Sequence, residues 1–170
     1  HVVTRLDRDT SGLMLFAKHG FAHAKLDQSL QQKQFVKKYQ ALVAGDVAGL
    51  HQHAHISLPI GRDLSSLLKR QVIETGQKAE TEYWLKKRNQ RCGLVDIQLH
   101  TGRTHQIRVH FSAIGCPLLG DDLYEGAMDQ GIERQALHCY FLSFPHPFSE
   151  QRLSFELPLA ADMEKVAETI

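Results

Sequence analysis

The sequence predicts an α+β fold, with a mainly antiparallel mixed sheet and a few flanking helices. Short runs in which polar and apolar residues alternate outnumber the stretches of helical period. Turn residues join these runs over short distances, which favours hairpins over long crossovers. A length of 170 residues, 42% of them hydrophobic, is enough for one core. We therefore expect a single domain over residues 1–170.

The first half of the chain predicts three strands, one helix and an irregular segment. We place the strands at residues 2–4, 13–17 and 39–44, the helix at 21–32 and the irregular segment at 51–68. The helix follows from the spacing of Phe21, Ala22, Leu26 and Leu30. The third strand alternates in polarity up to the turn at Gly45. These elements leave the charged stretch between the first two strands as a loop.

The second half predicts a hairpin, one helix and two late strands. The strands are expected at residues 79–85, 94–99, 136–144 and 153–155, and a turn at 89–93 joins the first two. Thr104 is expected to cap the helix, in which Ile107, Phe111 and Ile114 share one face and which Gly115 ends. Successive strands joined by short turns support a mainly antiparallel sheet.

The composition limits the binding partners and the cellular compartment that we expect for the protein. Lys and Arg total 20 against 19 Asp and Glu, a net charge of +1, so nucleic-acid binding requires a local basic surface. Cys92, Cys116 and Cys139 are odd in number and widely spaced, which argues against a disulfide scaffold or a thiolate zinc site. No apolar run has the length that spans a bilayer. We expect a monomer in the cytoplasm, with no membrane association.

The first candidate site is the charged loop RLDRDTSG at residues 5–12. An Asp beside Arg stays ionised at neutral pH, as a nucleophile or a base requires. Asp7 and Asp9 are therefore candidate catalytic carboxylates, with Arg5 and Arg8 beside them. Two alternatives remain open: ordinary ion pairs in a turn, and a glycosidase-like acid and base pair formed by the two aspartates.

The second candidate site is HTGRTHQIR at residues 100–108, where a strand end, a glycine turn and a helix start meet. Free backbone N–H groups at a helix N-terminus, together with Arg103 and Arg108, can hold a phosphate or a carboxylate. The alternative is a capped helix whose arginines face solvent. Residue types alone do not decide between the two.

Two groups of histidines raise the question of a metal site. They lie at His51, His53 and His55, and at His100, His105 and His110. No acidic or thiol ligand lies close to them in sequence, and a spacing of five does not align side chains on one helical face. We therefore expect surface or hydrogen-bonded histidines and no metal.

The two candidate sites belong to a series of motifs that resembles the RluA-type family of RNA pseudouridine synthases. The motifs follow one another as RLDRDTSG (5–12), KKYQALVAG (37–45), TGRTHQIRVH (101–110), GCPLLGD (115–121), LHC (137–139) and FPHP (144–147). Their order spans nearly the whole chain. The chain departs from many relatives at Thr4, where they carry His. The family has a strand-rich segment before the loop, so we expect residues 1–170 to be a catalytic domain without its N-terminal segment.

The resemblance implies roles for individual residues. Asp7 would attack or deprotonate the target nucleotide, and Arg5 would support the loop and help to extrude the base. Tyr39 would stack on the flipped uracil, and Arg103 would pair with the catalytic aspartate. The residues of the second site that are expected to bind substrate are Thr104, His105, Gln106 and Arg108.

The resemblance also implies the reaction, which is the isomerisation of specific uridines to pseudouridine in ribosomal or transfer RNA. Three routes remain open for one aspartate: attack at C1′ of the ribose, addition to the uracil ring, or removal of the 2′ proton. None needs a metal or an organic cofactor, because the substrate supplies both the leaving group and the returning nucleophile. The alternative function is that of an RNA-binding or assembly protein that keeps the fold without turnover.

Overall fold

The computed structural model describes residues 1–170 and has the α+β architecture that the sequence predicts. Its strands, in chain order, are β1 (Ser11–Gly12), β2 (Val36–Ala44), β3 (His53–Ile56), β4 (Ile60–Arg62), β5 (Arg70–Val72), β6 (Thr81–Arg88), β7 (Cys92–Leu99), β8 (Leu137–Pro145) and β9 (Arg152–Glu156). Its helices are α1 (Gly20–Gln31), α2 (Gln106–Ala113) and α3 (Ala161–Ala167), with short 3-10 turns at Val47–Gly49 and Asp122–Tyr124.

Seven strands form one mixed sheet in the order β1, β8, β2, β7, β6 and β3, with β9 paired to β8 outside this path. Every pairing in it is antiparallel except that of β1 with β8. β4 and β5 form a separate antiparallel hairpin. The predicted hairpin of β6 and β7 is confirmed, with Tyr83 opposite Ile97. The central strands β2 and β7 therefore connect the two sides of the sheet.

The alternation of side chains along β2 and β7 produces a core on each face of the sheet. Val43 and Val95 belong to one core, together with Phe111 of α2. Leu42 belongs to the other, together with Met163 of α3. A shift of one residue in the strand register would exchange these two sets of side chains. The register therefore decides which face each helix covers.

Two strand predictions near the start of the chain are wrong. Residues 2–4 and 13–17 form no regular strands, and Val2 makes one isolated bridge with Phe16. The segment enters the sheet instead through β1, where Gly12 is paired with Cys139. Gly12 has φ +116°, and a Cβ at this position would overlap the Cys139 carbonyl. Glycine is needed here because two backbones approach closely.

The structure also contains elements that the sequence patterns did not indicate. Residues 51–68, which we expected to be irregular, include β3 and β4. β3 has four residues and only Ile56 is buried, so its apolar signal is weak. The helix α3 was missed as well, although Met163, Val166 and Ala167 are buried at helical spacing. Short elements that pack on one side leave little periodicity to detect.

Two expectations drawn from composition concern the cysteines and the membrane. Each of the three cysteines is buried and free of a disulfide. None of the helices combines the length and the apolar composition that a membrane crossing requires.

Candidate active site

A cavity of about 320 Å³ lies where the charged loop, β2 and the segment before α2 meet. Its lining includes all eight residues to which the resemblance gives a role, namely Arg5, Asp7, Tyr39, Arg103, Thr104, His105, Gln106 and Arg108. Ligand sites in proteins commonly occupy about 300–1,000 Å³, so this cavity lies at the small end of that range. The fold therefore joins two motifs that lie about a hundred positions apart in the chain.

Asp7 directs its carboxylate at a buried guanidinium and at the cavity. Its Oδ2 atom lies 3.6 Å from Nη1 of Arg108. The Asp7 side chain keeps 27% of its exposure, whereas the Arg108 side chain keeps 6%. A fixed positive charge on one side orients the carboxylate, and the open side leaves it accessible to a ligand.

Arg108 is held in place by a second carboxylate. Its Nε and Nη2 atoms each donate to Asp121 over 2.7 Å, and Asp121 has no exposed surface. The guanidinium also lies over the ring of Tyr124, 5.0 Å from the centroid. Burial acts to lower the pKa of Arg108, but the hydrogen bonds and charge of Asp121 outweigh burial and raise it. Nη1 is thereby aimed at Asp7 as a permanent cation.

His105 approaches the same carboxylate from the start of α2. Its Nε2 lies 4.0 Å from Asp7 Oδ2, and its Nδ1 is hydrogen bonded to the Tyr124 hydroxyl over 2.8 Å. That hydroxyl also accepts from the backbone N–H of Arg70. Burial lowers the pKa of His105, although the charge of Asp7 opposes this. The neutral ring thus accepts from Tyr124 at Nδ1 and carries its proton on Nε2, facing Asp7.

Gln106 organises the loop in front of α2. Its Oε1 accepts from the Thr101 hydroxyl over 2.7 Å and from the backbone N–H of Arg103 over 3.0 Å. Its Nε2 donates to the Glu80 carbonyl over 3.0 Å and to the Thr81 hydroxyl over 2.9 Å. The side chain is buried and has no polar capacity left for a ligand. We therefore assign Gln106 a positioning role in place of the expected substrate contact.

Arg103 does not make the expected pair with Asp7. Its side chain is exposed, and its Nε donates to the Lys78 carbonyl over 3.0 Å. The ion pair of Asp7 is formed by Arg108, whose position within α2 turns it into the protein. Both arginines belong to one motif, so residue types alone could not identify the arginine that faces the carboxylate.

The start of α2 also differs from the prediction that Thr104 caps it. Thr104 is exposed, and the helix begins at Gln106 after His105, which provides no side-chain cap. His105 has φ +57°, a left-handed conformation that is uncommon for residues other than glycine. This conformation is associated with the approach of the imidazole to Tyr124 and Asp7.

Tyr39 and Arg5 contribute an aromatic ring and a further cation to the cavity wall. Tyr39 lies on β2 and is 5% exposed. Burial raises the pKa of Tyr39, and the negative charge of Asp7 acts in the same direction, so the phenol stays protonated. Arg5 is exposed and therefore accessible to a charged ligand.

Asp9 takes no part in the cavity. It is exposed, has φ +68°, and its carboxylate contacts Nε of Arg8 over 3.2 Å. A glycosidase needs a second carboxylate facing the scissile bond. Asp121 cannot serve, because it is enclosed with Arg108. The glycosidase alternative is therefore removed.

Arg134 and Gln135 support the charged loop, although no sequence pattern indicated either residue. Gln135 Nε2 donates to the Thr10 hydroxyl over 3.1 Å. Arg134 Nη1 donates to the Asp9 carbonyl over 3.1 Å, while its Nε contacts Asp162 of α3 over 2.8 Å. The two contacts with the loop each join residues 125 positions apart. No local pattern signals such distant partners.

The architecture matches a known fold. Human RNA Pseudouridylate Synthase Domain Containing 1 has a similar structure, with a TM-score of 0.84 and 23% identity over 97% of this chain and 72% of that chain. Human RNA Pseudouridylate Synthase Domain Containing 4 gives a TM-score of 0.78 and 24% identity over 99% and 74%. At these identities the likeness establishes the fold.

The sequence comparisons identify the family as well as the fold. The model of the RNA pseudouridylate synthase family matches residues 1–113, and the chain belongs to that family. Uncharacterized RNA pseudouridine synthase YjbO of Bacillus subtilis is 47% identical over 166 residues, covering 98% of this chain and 58% of the relative. Ribosomal large subunit pseudouridine synthase D of Vibrio parahaemolyticus is 35% identical over 182 residues, covering 99% and 55%. The chain spans a little over half the length of these relatives.

Proposed function

We propose that the chain is the catalytic domain of an RNA pseudouridine synthase in which Asp7 acts on a uridine held in the cavity. The observation that carries this proposal is the arrangement of Asp7, with one carboxylate oxygen 3.6 Å from the buried guanidinium of Arg108 and open space beside it. Membership of the family supports the class of reaction.

The proposed reaction breaks the N1–C1′ bond, forms a C5–C1′ bond, releases the proton of C5 and leaves a proton on N1. Each of the three routes needs an electron pair from one carboxylate, which acts at C1′, at the uracil ring or on the 2′ proton. Arg108 and its partner Asp121 hold the carboxylate of Asp7 before the substrate arrives. Such preorganisation lowers the barrier because no reorientation is needed during the reaction.

We propose that the target base leaves its stack in the RNA and enters the cavity. A base inside a helix is otherwise out of reach of a side chain. We assign Tyr39 to the face of the flipped uracil and Arg5 to the extrusion of the base. The exposed hydroxyl of Thr104 and the Nε2–H of His105 are the donors that we assign to the uracil carbonyls.

Arginines beside the cavity supply the local basic surface that the low net charge of the chain requires. Arg62, Arg70 and Arg103 line an adjoining cleft of about 330 Å³, together with Thr104. Guanidinium groups bind phosphate with directed hydrogen bonds. We assign this cleft to the RNA backbone next to the target nucleotide, so Arg103 becomes a phosphate ligand and not the partner of Asp7.

We further propose ribosomal RNA as the substrate, with transfer RNA as the alternative. The relative from Vibrio parahaemolyticus carries the name of a ribosomal large subunit enzyme, which supports this choice. Action as a monomer in the cytoplasm belongs to the same proposal.

The test uses the full-length protein and total RNA from cells that lack the gene. Pseudouridines are mapped chemically before and after incubation. We expect the wild-type protein to create new sites and Asp7→Asn to create none. Asp9→Asn is the matched control, because Asp9 lies in the same loop, outside the cavity, and Asn tolerates its left-handed conformation.

Two results would contradict the proposal. New sites formed equally well by Asp7→Asn would remove the role of the carboxylate. RNA binding without any new site, in the wild-type protein, would support the RNA-binding or assembly alternative.

A further inference from the structure

A cluster of histidines and glutamate lies outside the cavity, on strands β3, β6 and β7. β3 and β6 pair so that His53 lies opposite Trp84 and His55 lies opposite Glu82. Residues two apart on a strand share a face, so both imidazoles reach the same carboxylate. His100 follows the end of β7 and contacts that carboxylate as well. None of these residues lines the cavity.

The donor atoms of this cluster converge. Nε2 of His53 lies 2.7 Å from Oε1 of Glu82, and Nε2 of His55 lies 3.2 Å from the same oxygen. One donor atom from each of these three residues lies within 4.8 Å of the other two. Two nitrogens and one oxygen therefore point to a common centre from two adjacent strands.

We propose that His53, His55 and Glu82 bind a divalent transition-metal ion, and we name Zn²⁺ as the ion that suits these donors. Zn²⁺ takes imidazole nitrogen and carboxylate oxygen at about 2.0–2.2 Å, and three protein ligands with a water complete a tetrahedron. Neighbouring donors then lie about 3.3 Å apart. The two imidazole nitrogens now lie 2.7 and 3.2 Å from the carboxylate oxygen and within 4.8 Å of each other. The ion replaces the protons that now join the imidazoles to the carboxylate.

Neighbouring side chains hold the three donors in the way that metal ligands need. The ring of His53 stacks on Trp84, with centroids 5.0 Å apart and planes at 8°. Glu80 Oε1 lies 3.5 Å from Nδ1 of His55, the nitrogen that the ion leaves free. A carboxylate at that nitrogen fixes the tautomer of a ligating histidine. His100 contacts the second oxygen of the ligating carboxylate over 2.7 Å.

The carboxylate of the cluster comes from a part of the chain distant from the two histidines. No acidic residue lies close to them in sequence, and for that reason the sequence predicted no metal. The antiparallel pairing supplies that residue from the neighbouring strand.

The single tryptophan of the chain provides a direct optical test, since Trp84 stacks on His53. The purified protein is titrated with Co²⁺ while tryptophan emission and visible absorption are recorded. We expect saturable quenching with one ion per chain, an absorption spectrum of tetrahedral Co²⁺, and reversal of both by Zn²⁺. His55→Ala and Glu82→Gln should each weaken binding at least about tenfold.

The matched control is a second histidine pair without a carboxylate partner. The rings of His1 and His23 lie 5.5 Å apart, close to the 5.6 Å between His53 and His55. The double variant His1→Ala/His23→Ala should therefore bind Co²⁺ as the wild type does. Its circular dichroism and that of the other variants show whether each is folded.

Three outcomes would overturn the proposal. They are a wild-type protein that shows no saturable quenching at millimolar Co²⁺, folded His55→Ala and Glu82→Gln variants that keep wild-type affinity, and binding that is lost in the His1 and His23 control instead. Because His55 is exposed and Glu82 lies on the face of β6 opposite to the buried Thr81 and Tyr83, at least one of these variants should fold and decide the question.

Discussion

Arg108 connects the two carboxylates of the site. Its Nε and Nη2 each donate to Asp121, and its Nη1 faces Asp7. Asp121 in turn is completely buried. A single arginine thus neutralises a buried acid and orients an accessible one, so its removal should affect stability and catalysis together.

Arg108→Met should destabilise the protein by about 3–5 kcal/mol, because it leaves the Asp121 carboxylate buried without a counter-charge. Urea denaturation measures this change. Arg91→Met is the control, since the ion pair of Arg91 with Asp129 is exposed to solvent and contributes little to stability. Equal losses of unfolding free energy in the two variants would contradict this, because they would mean that water solvates Asp121 when Arg108 is absent. Adding Asp121→Asn to Arg108→Met should restore part of the stability.

Arg103→Ala should weaken RNA binding and lower the salt dependence of the affinity by about one unit of log–log slope. The reason is that Arg103 is exposed beside the cleft that we assign to a phosphate. Titrations of RNA at several salt concentrations measure the slope, with Arg91→Ala as a control remote from the cleft. A loss of turnover with an unchanged slope would instead place Arg103 against the reacting base.

The sequence indicated which residues meet at the cavity, but not which partners they contact. The eight residues to which the resemblance gives a role all line it, whereas Asp9 lies outside. The identity of the arginine facing Asp7 was predicted wrongly, because the choice between Arg103 and Arg108 depends on where α2 begins. No local sequence pattern indicates that Arg134 and Gln135 support the loop, because their contacts form only when distant segments of the chain meet.

Among the elements, β1 depends most on one residue type. Gly12→Ala should destabilise the protein by at least about 2 kcal/mol more than Gly131→Ala, because the added methyl overlaps backbone only at the former. Both glycines have positive φ, at +116° and +79°, and nothing lies within 4 Å of a Cβ built at Gly131. Chemical denaturation of the two variants isolates the steric contribution. Equal losses would show that β1 separates from β8 without consequence.

Elements with strong periodicity or clear turns were predictable. The hairpin of β6 and β7 and the late strands β8 and β9 agree with the expected positions. The end strand β3 and the helix α3 were missed because each is short and buries few residues. The N-terminal apolar runs failed for a different reason: their side chains pack without a continuous ladder of backbone hydrogen bonds.

At the scale of the whole molecule, buried histidines should make stability depend on pH. Burial lowers the pKa of His110 below its ordinary value of 6.5, and it does the same for His105 and His138. The unfolded chain therefore binds more protons than the native protein once the pH falls below 6.5, and stability declines.

Thermal denaturation at pH 7.5 and pH 5.5 measures this effect, with a lower melting temperature expected at about pH 5.5. His110→Gln should reduce the difference, because it removes a titrating group that is completely buried. A melting temperature that is constant or higher at the acidic pH would contradict the assignment of these histidines as neutral in the native state.

The most direct measurement concerns Asp7. Pseudouridine formation replaces the C5–H bond of uridine by a bond to carbon, so RNA labelled with tritium at C5 releases its label into water once per turnover. We predict steady release by the full-length wild-type protein and release at least about 10³-fold slower by Asp7→Asn, with RNA binding retained. Release by Asp7→Asn at the wild-type rate would contradict the account.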